Sequence, residues 1–249
     1  MNIDKVTFVK SDYDYPQLEK VADDFALFLF NASPSILGIF VEFMRTSTPV
    51  SFHDYKPFNQ KFFSKLIKNE KKAPPDIKKL RDFCHLFFET CQTDDEIKKM
   101  RGLVPEKLFE KIFNKRHESK DNCHIDYGVK VLINNKAVYY KPDNPFETEE
   151  DIDKPRQSVD AGFWDGHEGE FAEVKLQPHA FRTKDIGYLR LLAEKLNEND
   201  ISYCIFLVAF NNKELITSQL ERLQLISKDN ASEFSLIGTK ELFQLGETA

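Results

Sequence analysis

Three side chains that could handle a phosphate ester lie in one short segment, SVDAGFWDGHEGEFAEVKLQP, which starts at Ser158. Asp160 ends one predicted strand, while Glu173 and Lys175 are separated by one residue on the next. Paired carboxylates bind a hard divalent cation through oxygen, and a neighbouring lysine can orient water or offset charge on a phosphate. The residue types therefore predict metal-dependent phosphodiester hydrolysis.

The period of the second strand determines which side chains can meet. The small and aliphatic residues share one face. The opposite face carries Phe171, Glu173, Lys175 and Gln177. A half-buried edge strand with a solvated outer face gives the same alternation, so the strand alone leaves both interpretations open.

The turn between the two strands favours the metal-site interpretation. Asp165-Gly166 supplies residues that tight turns require, so antiparallel pairing would bring Asp160 back towards Glu173. Two adjacent carboxylates repel each other unless a cation or a proton offsets their charge. A hairpin that brings them together therefore indicates a bound metal ion.

Asp160 followed by Glu173-Val174-Lys175 resembles the motif of the PD-(D/E)XK nuclease superfamily, which includes restriction endonucleases and many DNA-repair and defence nucleases. The proline that begins the motif is absent here, because Ser158-Val159 precedes Asp160. The resemblance implies that Asp160 and Glu173 bind Mg²⁺ or Mn²⁺ and that Lys175 acts at the reacting phosphate.

The order of predicted elements agrees with that resemblance. Apolar spacing predicts a helix over residues 103–116, opened by Pro105 near its first turn. The elements predicted after it are extended runs over residues 125–140, the two site strands, a helix over 183–199, an apolar strand over 202–210, a helix over 213–226 and a short strand over 234–237. This order implies an α/β fold with a restriction-endonuclease-like mixed sheet flanked by helices, over roughly residues 102–245.

The resemblance implies a further site residue on the first helix. In many relatives a glutamate there reaches the metal site directly or through water, and Glu110, at the flank of the apolar stripe, matches its place. The alternative is a surface glutamate paired with Asn114 or Lys107. Glu106, one turn earlier, is the second candidate for the same role.

Gln177 matches the glutamine of relatives that carry a Glu-x-Lys-x-Gln string. The resemblance implies that it hydrogen-bonds the substrate or a water at the metal. The alternative is a polar strand end that simply precedes Pro178.

Composition and patterning predict two domains. With 249 residues and 41% hydrophobic content, the chain can bury one large or two modest cores. Helical spacing through the first hundred residues predicts a helical domain over 1–100, for docking a partner or nucleic acid, before a nuclease-like domain over 101–249. The aromatic richness of the helical part indicates either core packing or a docking patch.

The charge distribution is more informative than the formal net charge of −6. Lysine and arginine dominate residues 61–81 and 98–120, where they could hold a phosphate backbone or could belong to solvated helix faces. Residues 143–153 are strongly acidic. We expect them to form a loop between core strands that screens the site until a partner displaces it.

Cysteine usage and hydropathy predict a cytoplasmic protein. The four cysteines show no CxxC spacing, which favours free thiols in a reducing compartment. No signal-peptide pattern is apparent at the N-terminus, and the most apolar stretch, residues 35–44, is too short to cross a bilayer. We therefore expect no membrane partner.

Two functions of different classes follow from these observations. One is a Mg²⁺-dependent nuclease that acts on DNA, as an effector of a bacterial defence system; RNA is a weaker alternative substrate. The other is a catalytically silent nuclease-fold subunit that binds nucleic acid or a helicase or ATPase partner. A homo-oligomer is compatible with either function.

Overall fold

The computed structural model describes residues 5–11, 15–141, 156–227 and 233–246. The first thirteen residues and those from Ile112 onward form one compact unit, here called the sheet unit, and residues 14–111 form the helical unit. This division differs from the predicted boundary at residue 100. The acidic stretch over residues 143–153 lies outside the described residues.

Several helices of the helical unit begin with a proline, and aromatic side chains pack in the core between them. Its helices are α1 (Pro16–Phe30), α2 (Pro34–Thr46), α3 (Tyr55–Leu66), α4 (Pro75–Thr90) and most of α5 (Asp94–Arg116). Proline occupies the first turn of α1, α2 and α4, where its missing N–H removes no helical hydrogen bond. The rings of Phe62, Phe63 and Phe88 surround Phe43 at centroid distances of 5.2 to 6.0 Å. The predicted helical N-terminal region is confirmed.

Helix α5 begins at Asp94, nine residues before the start of the helix predicted over residues 103–116, and Pro105 lies in its interior. The expectation that Pro105 opens a helix was therefore wrong. An interior proline removes one hydrogen bond and clashes with the preceding turn, but buried apolar residues continue through it at intervals of four. They are Met100, Val104, Leu108 and Ile112. Packing of this stripe outweighs the local preference of proline for a helix start.

The sheet unit is built on a mixed sheet. Its strands are β1 (Val6–Lys10), β2 (His124–Ile133), β3 (Lys136–Ala137), β4 (Ser158–Trp164), β5 (Glu168–Lys175), β6 (Ser202–Ala209) and β7 (Ser235–Ile237). The strand order is β1-β2-β4-β5-β6-β7, and β3 pairs with β2. The pairs up to β5 are antiparallel, whereas β5, β6 and β7 are parallel. The predicted mixed sheet is confirmed, but β1 was not expected from the sequence.

Three further helices flank the sheet and complete its parallel part. They are α6 (Thr183–Asn197), α7 (Lys213–Arg222) and α8 (Thr239–Leu245). Because parallel neighbours need a crossover connection, α6 joins β5 to β6 and α7 joins β6 to β7. The aliphatic side of α6, including Leu189 and Leu192, is buried in one core with Phe171 of β5. The first turn of α6 follows the carboxyl end of β5 after a loop of seven residues, 176–182, and the helix then carries the chain back to the start of β6.

The turn between β2 and β3 is formed by Asn134 and Asn135, which have φ values of 49° and 62°. Asparagine tolerates this left-handed region better than most residues, and two such residues suit a tight hairpin. In the described part of the chain, no helix is long and apolar enough to cross a membrane.

Candidate functional site

Pairing between β4 and β5 ends beside Asp160 and Glu173. The last paired residues are Ala161 and Ala172, so Asp160 and Glu173 follow on the same face of the sheet. Beyond the ladder, Asp160 Oδ2 accepts a 2.7 Å hydrogen bond from the backbone N–H of Val174. The carboxylate of Asp160 thus replaces a backbone acceptor and is fixed against β5.

Glu173 is completely buried, which excludes the solvated-edge interpretation of its strand. Its relative exposure is 0%, and β5 lies between β4 and β6 in the sheet. Phe171, on the same face, belongs to the hydrophobic core. The polar face predicted from the alternation is therefore covered, and a buried carboxylate needs charged or hydrogen-bonding partners.

Lys175 supplies one of these partners. Its ammonium group donates a hydrogen bond to Glu173 Oε1 and lies 3.8 Å from Asp160 Oδ2. Glu173 and Lys175 lie on the same face of β5, because they are two residues apart along the strand. The structure thus brings the three predicted side chains into one cluster.

Two residues that the sequence analysis did not identify complete the cluster. Arg156 donates to Asp185 Oδ1 through Nη1 and to Glu173 Oε2 through Nη2, and Nη2 lies 4.0 Å from Asp160 Oδ1. Asp185, in the first turn of α6, is buried, and its Oδ2 accepts a 2.9 Å hydrogen bond from the backbone N–H of Arg182. One guanidinium group therefore faces three carboxylates.

The cluster contains more negative than positive groups. Burial raises the pKa of Glu173 to about 7, although Arg156 and Lys175 act in the opposite direction. Burial by itself lowers the pKa of Lys175, but Glu173, Asp160 and Asp185 together raise it above its usual range. Such opposing effects of burial and charged partners on pKa values occur at functional sites and in structural ion-pair networks.

Gln177 lies beyond the end of β5, before a 3₁₀ turn (Pro178–Ala180). Its Oε1 accepts a 3.3 Å hydrogen bond from Asn211 Nδ2, and its buried Nε2 has no hydrogen-bond partner in the described part of the chain. The loop after β6 thus holds this side chain. A contact with substrate remains a prediction.

Glu110 lies in the helical unit. Lys107 Nζ donates hydrogen bonds of 2.8 and 3.0 Å to its two oxygens, which is the alternative pairing that the sequence left open. Burial raises the pKa of Glu110, while Lys107 partly offsets this effect. Glu106 lies in the same unit. A role for either glutamate at a metal stays a prediction.

A second buried glutamate, Glu170, lies on the opposite face of β5. Arg116 donates two hydrogen bonds of 2.8 and 2.9 Å to its carboxylate, and His117 Nε2 lies 3.1 Å from Oε2. Burial alone would raise the pKa of Glu170, but its contacts with His117 and Arg116 lower it to about 2. The His117 ring stacks on Phe163 with centroids 3.8 Å apart. Both oxygens of Glu170 are therefore hydrogen-bonded, which is typical of a structural ion pair.

The carboxylates of the cluster around Glu173 are of the chemical type that binds Mg²⁺. This ion is commonly held by one or two carboxylates and keeps several waters, and Asp160 and Glu173 supply two carboxylates from adjacent strands. Within the described ranges, no group of three or more His, Cys, Asp or Glu side chains is arranged to hold a metal. The guanidinium of Arg156 already contacts Glu173.

No protein-family model matches the chain, and no curated protein matches its sequence. Among solved structures, the chain is similar to protein VC1899 from Vibrio cholerae, with 13% sequence identity and a TM-score of 0.48. The match covers 98% of this chain and 57% of that protein. The chain therefore spans little more than half the length of this structural neighbour.

Proposed function

We propose that the chain is a divalent-metal-dependent nuclease that hydrolyses phosphodiester bonds, most readily in DNA. The observation that carries this proposal is the meeting of Asp160, Glu173 and Lys175 on one face, at the carboxyl end of β5. Two acidic side chains and a lysine from neighbouring strands are the donor set that the resemblance to PD-(D/E)XK nucleases requires.

Each of the three residues has a distinct role in this proposal. Asp160 and Glu173 hold the cation, which when bound polarises the phosphate and supplies a nucleophile at neutral pH. Lys175 is held by Glu173, so its ammonium group stays close to the carboxylates and offsets charge that develops on the phosphate. The resemblance adds Gln177 and Glu110 as supporting residues.

A silent nuclease-fold subunit is the second candidate, and one observation favours it. Arg156 and Lys175 together already contact both oxygens of Glu173, so this buried carboxylate is hydrogen-bonded without any metal. In this function the chain would bind nucleic acid or a helicase or ATPase partner, with the helical unit as the docking element. Either function would suit a cytoplasmic defence system.

A cleavage assay with matched variants tests the proposal. The full chain is incubated with plasmid, linear and single-stranded DNA and with RNA, in Mg²⁺, Mn²⁺ or EDTA. Asp160→Asn and Lys175→Met remove site groups, whereas Glu170→Gln changes a buried glutamate on the other face of the same strand.

We expect metal-dependent cleavage by the wild type and by Glu170→Gln, and its loss in both site variants. Cleavage that survives Asp160→Asn and Lys175→Met would show that another protein in the preparation is responsible. Absence of cleavage with every substrate and metal would overturn the enzyme proposal in favour of the silent subunit.

A further inference from the structure

Arg156 contacts the same carboxylates that a divalent cation would need. We propose that Arg156 is an internal cation that occupies the site, and that a divalent ion must displace its guanidinium group from Glu173 in order to bind. This inference rests on the proposed function and adds to it a residue that sets the metal affinity of the site.

The position of the guanidinium group is the first support. Nη2 donates to Glu173 Oε2 and lies 4.0 Å from Asp160 Oδ1, so one nitrogen lies close to both proposed metal ligands. The side chain of Arg156 is only 16% exposed. A cation placed between these two carboxylates would lie too close to that nitrogen, because positive groups in a partly buried site repel strongly.

The backbone of Arg156 is fixed, so only its side chain has to move. Its N–H donates to Tyr140 O at 3.0 Å and its O accepts from Tyr140 N–H at 2.9 Å. The ring of Tyr140 packs against Gly187, where an added Cβ would lie 2.5 Å from the ring. The backbone of Arg156 is therefore held in place, and rotations about the bonds of its side chain are enough to release Glu173.

Asp185 provides a place for the released guanidinium group. Its Oδ1 accepts from Arg156 Nη1, while its Oδ2 is held by the backbone N–H of Arg182 in the first turn of α6. Asp185 therefore stays in place whether or not Glu173 is bound by Arg156. The guanidinium group can keep this partner when it leaves the other.

The charge of the cluster is consistent with exchange of this kind. Three carboxylates with one arginine and one lysine carry a formal charge of −1. A divalent ion changes this to +1, and one phosphodiester group would then neutralise the site. Metal and substrate together thus balance the charge that Arg156 balances only in part.

Metal binding without substrate tests the inference. Mn²⁺ is titrated calorimetrically into the full-length wild type, Arg156→Gln, the control Arg116→Gln and the ligand variant Asp160→Asn. We expect Arg156→Gln to bind Mn²⁺ at least tenfold more tightly than the wild type, which corresponds to about 1.4 kcal/mol. Arg116→Gln should bind like the wild type, and Asp160→Asn should not bind.

A measurement on the wild type covers the case in which Arg156→Gln fails to fold. Phenylglyoxal modifies accessible arginines, and peptide mass spectrometry reports each site separately. We expect Mn²⁺ to increase labelling of Arg156 several-fold and to leave Arg116 unchanged, with the exposed Arg45 as the internal standard.

The outcomes separate the inference from the proposed function. If Mn²⁺ binds to the wild type and Asp160→Asn abolishes binding, but neither Arg156→Gln nor the labelling responds, the inference is wrong and the metal site stands. If no folded variant binds Mn²⁺ and the labelling is unchanged, both are overturned. Weaker binding by folded Arg156→Gln would also overturn the inference, since it would make Arg156 a support for the metal.

Discussion

Glu170 and Glu173 are buried carboxylates on opposite faces of the same strand, and each is paired with an arginine, yet their pKa values are shifted in opposite directions. Contacts with Arg116 and His117 lower the pKa of Glu170 to about 2. Burial raises that of Glu173 to about 7 despite the presence of two cations. Pairing with arginine alone therefore does not determine the state of a buried glutamate.

The difference lies in the neighbouring charges. Asp160 and Asp185 both act to raise the pKa of Glu173, whereas the charged groups that act most strongly on Glu170, His117 and Arg116, both lower its pKa. A lone carboxylate with a matching arginine is a stable structural element. Three carboxylates around two cations are under electrostatic stress that a further cation would relieve. The comparison thus separates a structural ion pair from a candidate metal site.

On the proposed nuclease function, the largest expected effect is on the rate of cleavage. We predict that Glu173→Gln lowers the rate of metal-dependent cleavage by about 10³-fold, because loss of one anionic ligand removes several kcal/mol of stabilisation. Single-turnover cleavage at saturating Mg²⁺ measures it. Glu170→Gln, assayed at the same concentration of folded protein, should stay within about threefold of wild type. Equal losses in the two variants would erase the distinction between the faces.

The second effect is on stability, and here substitution of Glu170 should have the larger effect. We predict that Glu170→Ala lowers the free energy of unfolding by about 3 kcal/mol, because it leaves Arg116 partly buried without its carboxylate. Urea unfolding followed by circular dichroism measures this change. Glu173→Gln should change the same free energy by less than about 1 kcal/mol at pH 8, since it removes the surplus negative charge. A large loss in Glu173→Gln would show that both glutamates are structural.

The sequence was sufficient to predict that Asp160, Glu173 and Lys175 meet, because the hairpin and the strand period that bring them together are local. It was not sufficient for Arg156 or Asp185. Arg156 precedes Asp160 by an even number of residues, so strand parity could have indicated a shared face. Asp185 lies in the first turn of α6, and its contact with Arg156 depends on the path of the loop after β5, which no local pattern shows.

The same distinction explains the other differences. The partner of Gln177 comes from the loop after β6, and the continuity of α5 through Pro105 depends on tertiary packing. Strand β1 has only five residues, too few for a clear pattern, and its partner β2 follows the helical unit along the chain. The order of the elements from β4 to β7 was therefore predictable, whereas β1, the course of α5 and the side-chain contacts of Arg156 and Asp185 were not.

The third prediction concerns acid. The pKa of Glu170 is lowered from 4.5 to about 2 in the folded protein, so its contribution to stability is present above about pH 4.5 and is lost as pH falls towards 2. We expect the wild type to lose about 2 kcal/mol of its stability advantage over Glu170→Gln between pH 6 and pH 3. Urea unfolding of both proteins at each pH measures it. A constant difference would contradict the lowered pKa.

The smallest effect is expected from Gly187→Ala, which acts on the surroundings of Arg156 and leaves Glu170 and Glu173 unchanged. The added methyl group would meet the ring of Tyr140 at 2.5 Å, so the ring must shift and loosen the bridge to Arg156. We predict a loss of about 1 kcal/mol in the free energy of unfolding, since overpacking outweighs the better helix propensity of alanine. Phenylglyoxal labelling of Arg156 should rise without metal. Unchanged labelling would show that Tyr140 does not hold the arginine.

The early position of β1 in the chain has a consequence for biogenesis. Val6 pairs with Ile133, so the first strand emerges from the ribosome long before its partner is translated. The helical unit can form during that interval, since helices depend on nearby residues. Closure of the sheet edge must then wait for much later synthesis. A nascent chain arrested within residues 14–111 would therefore carry β1 without the strand that it pairs with.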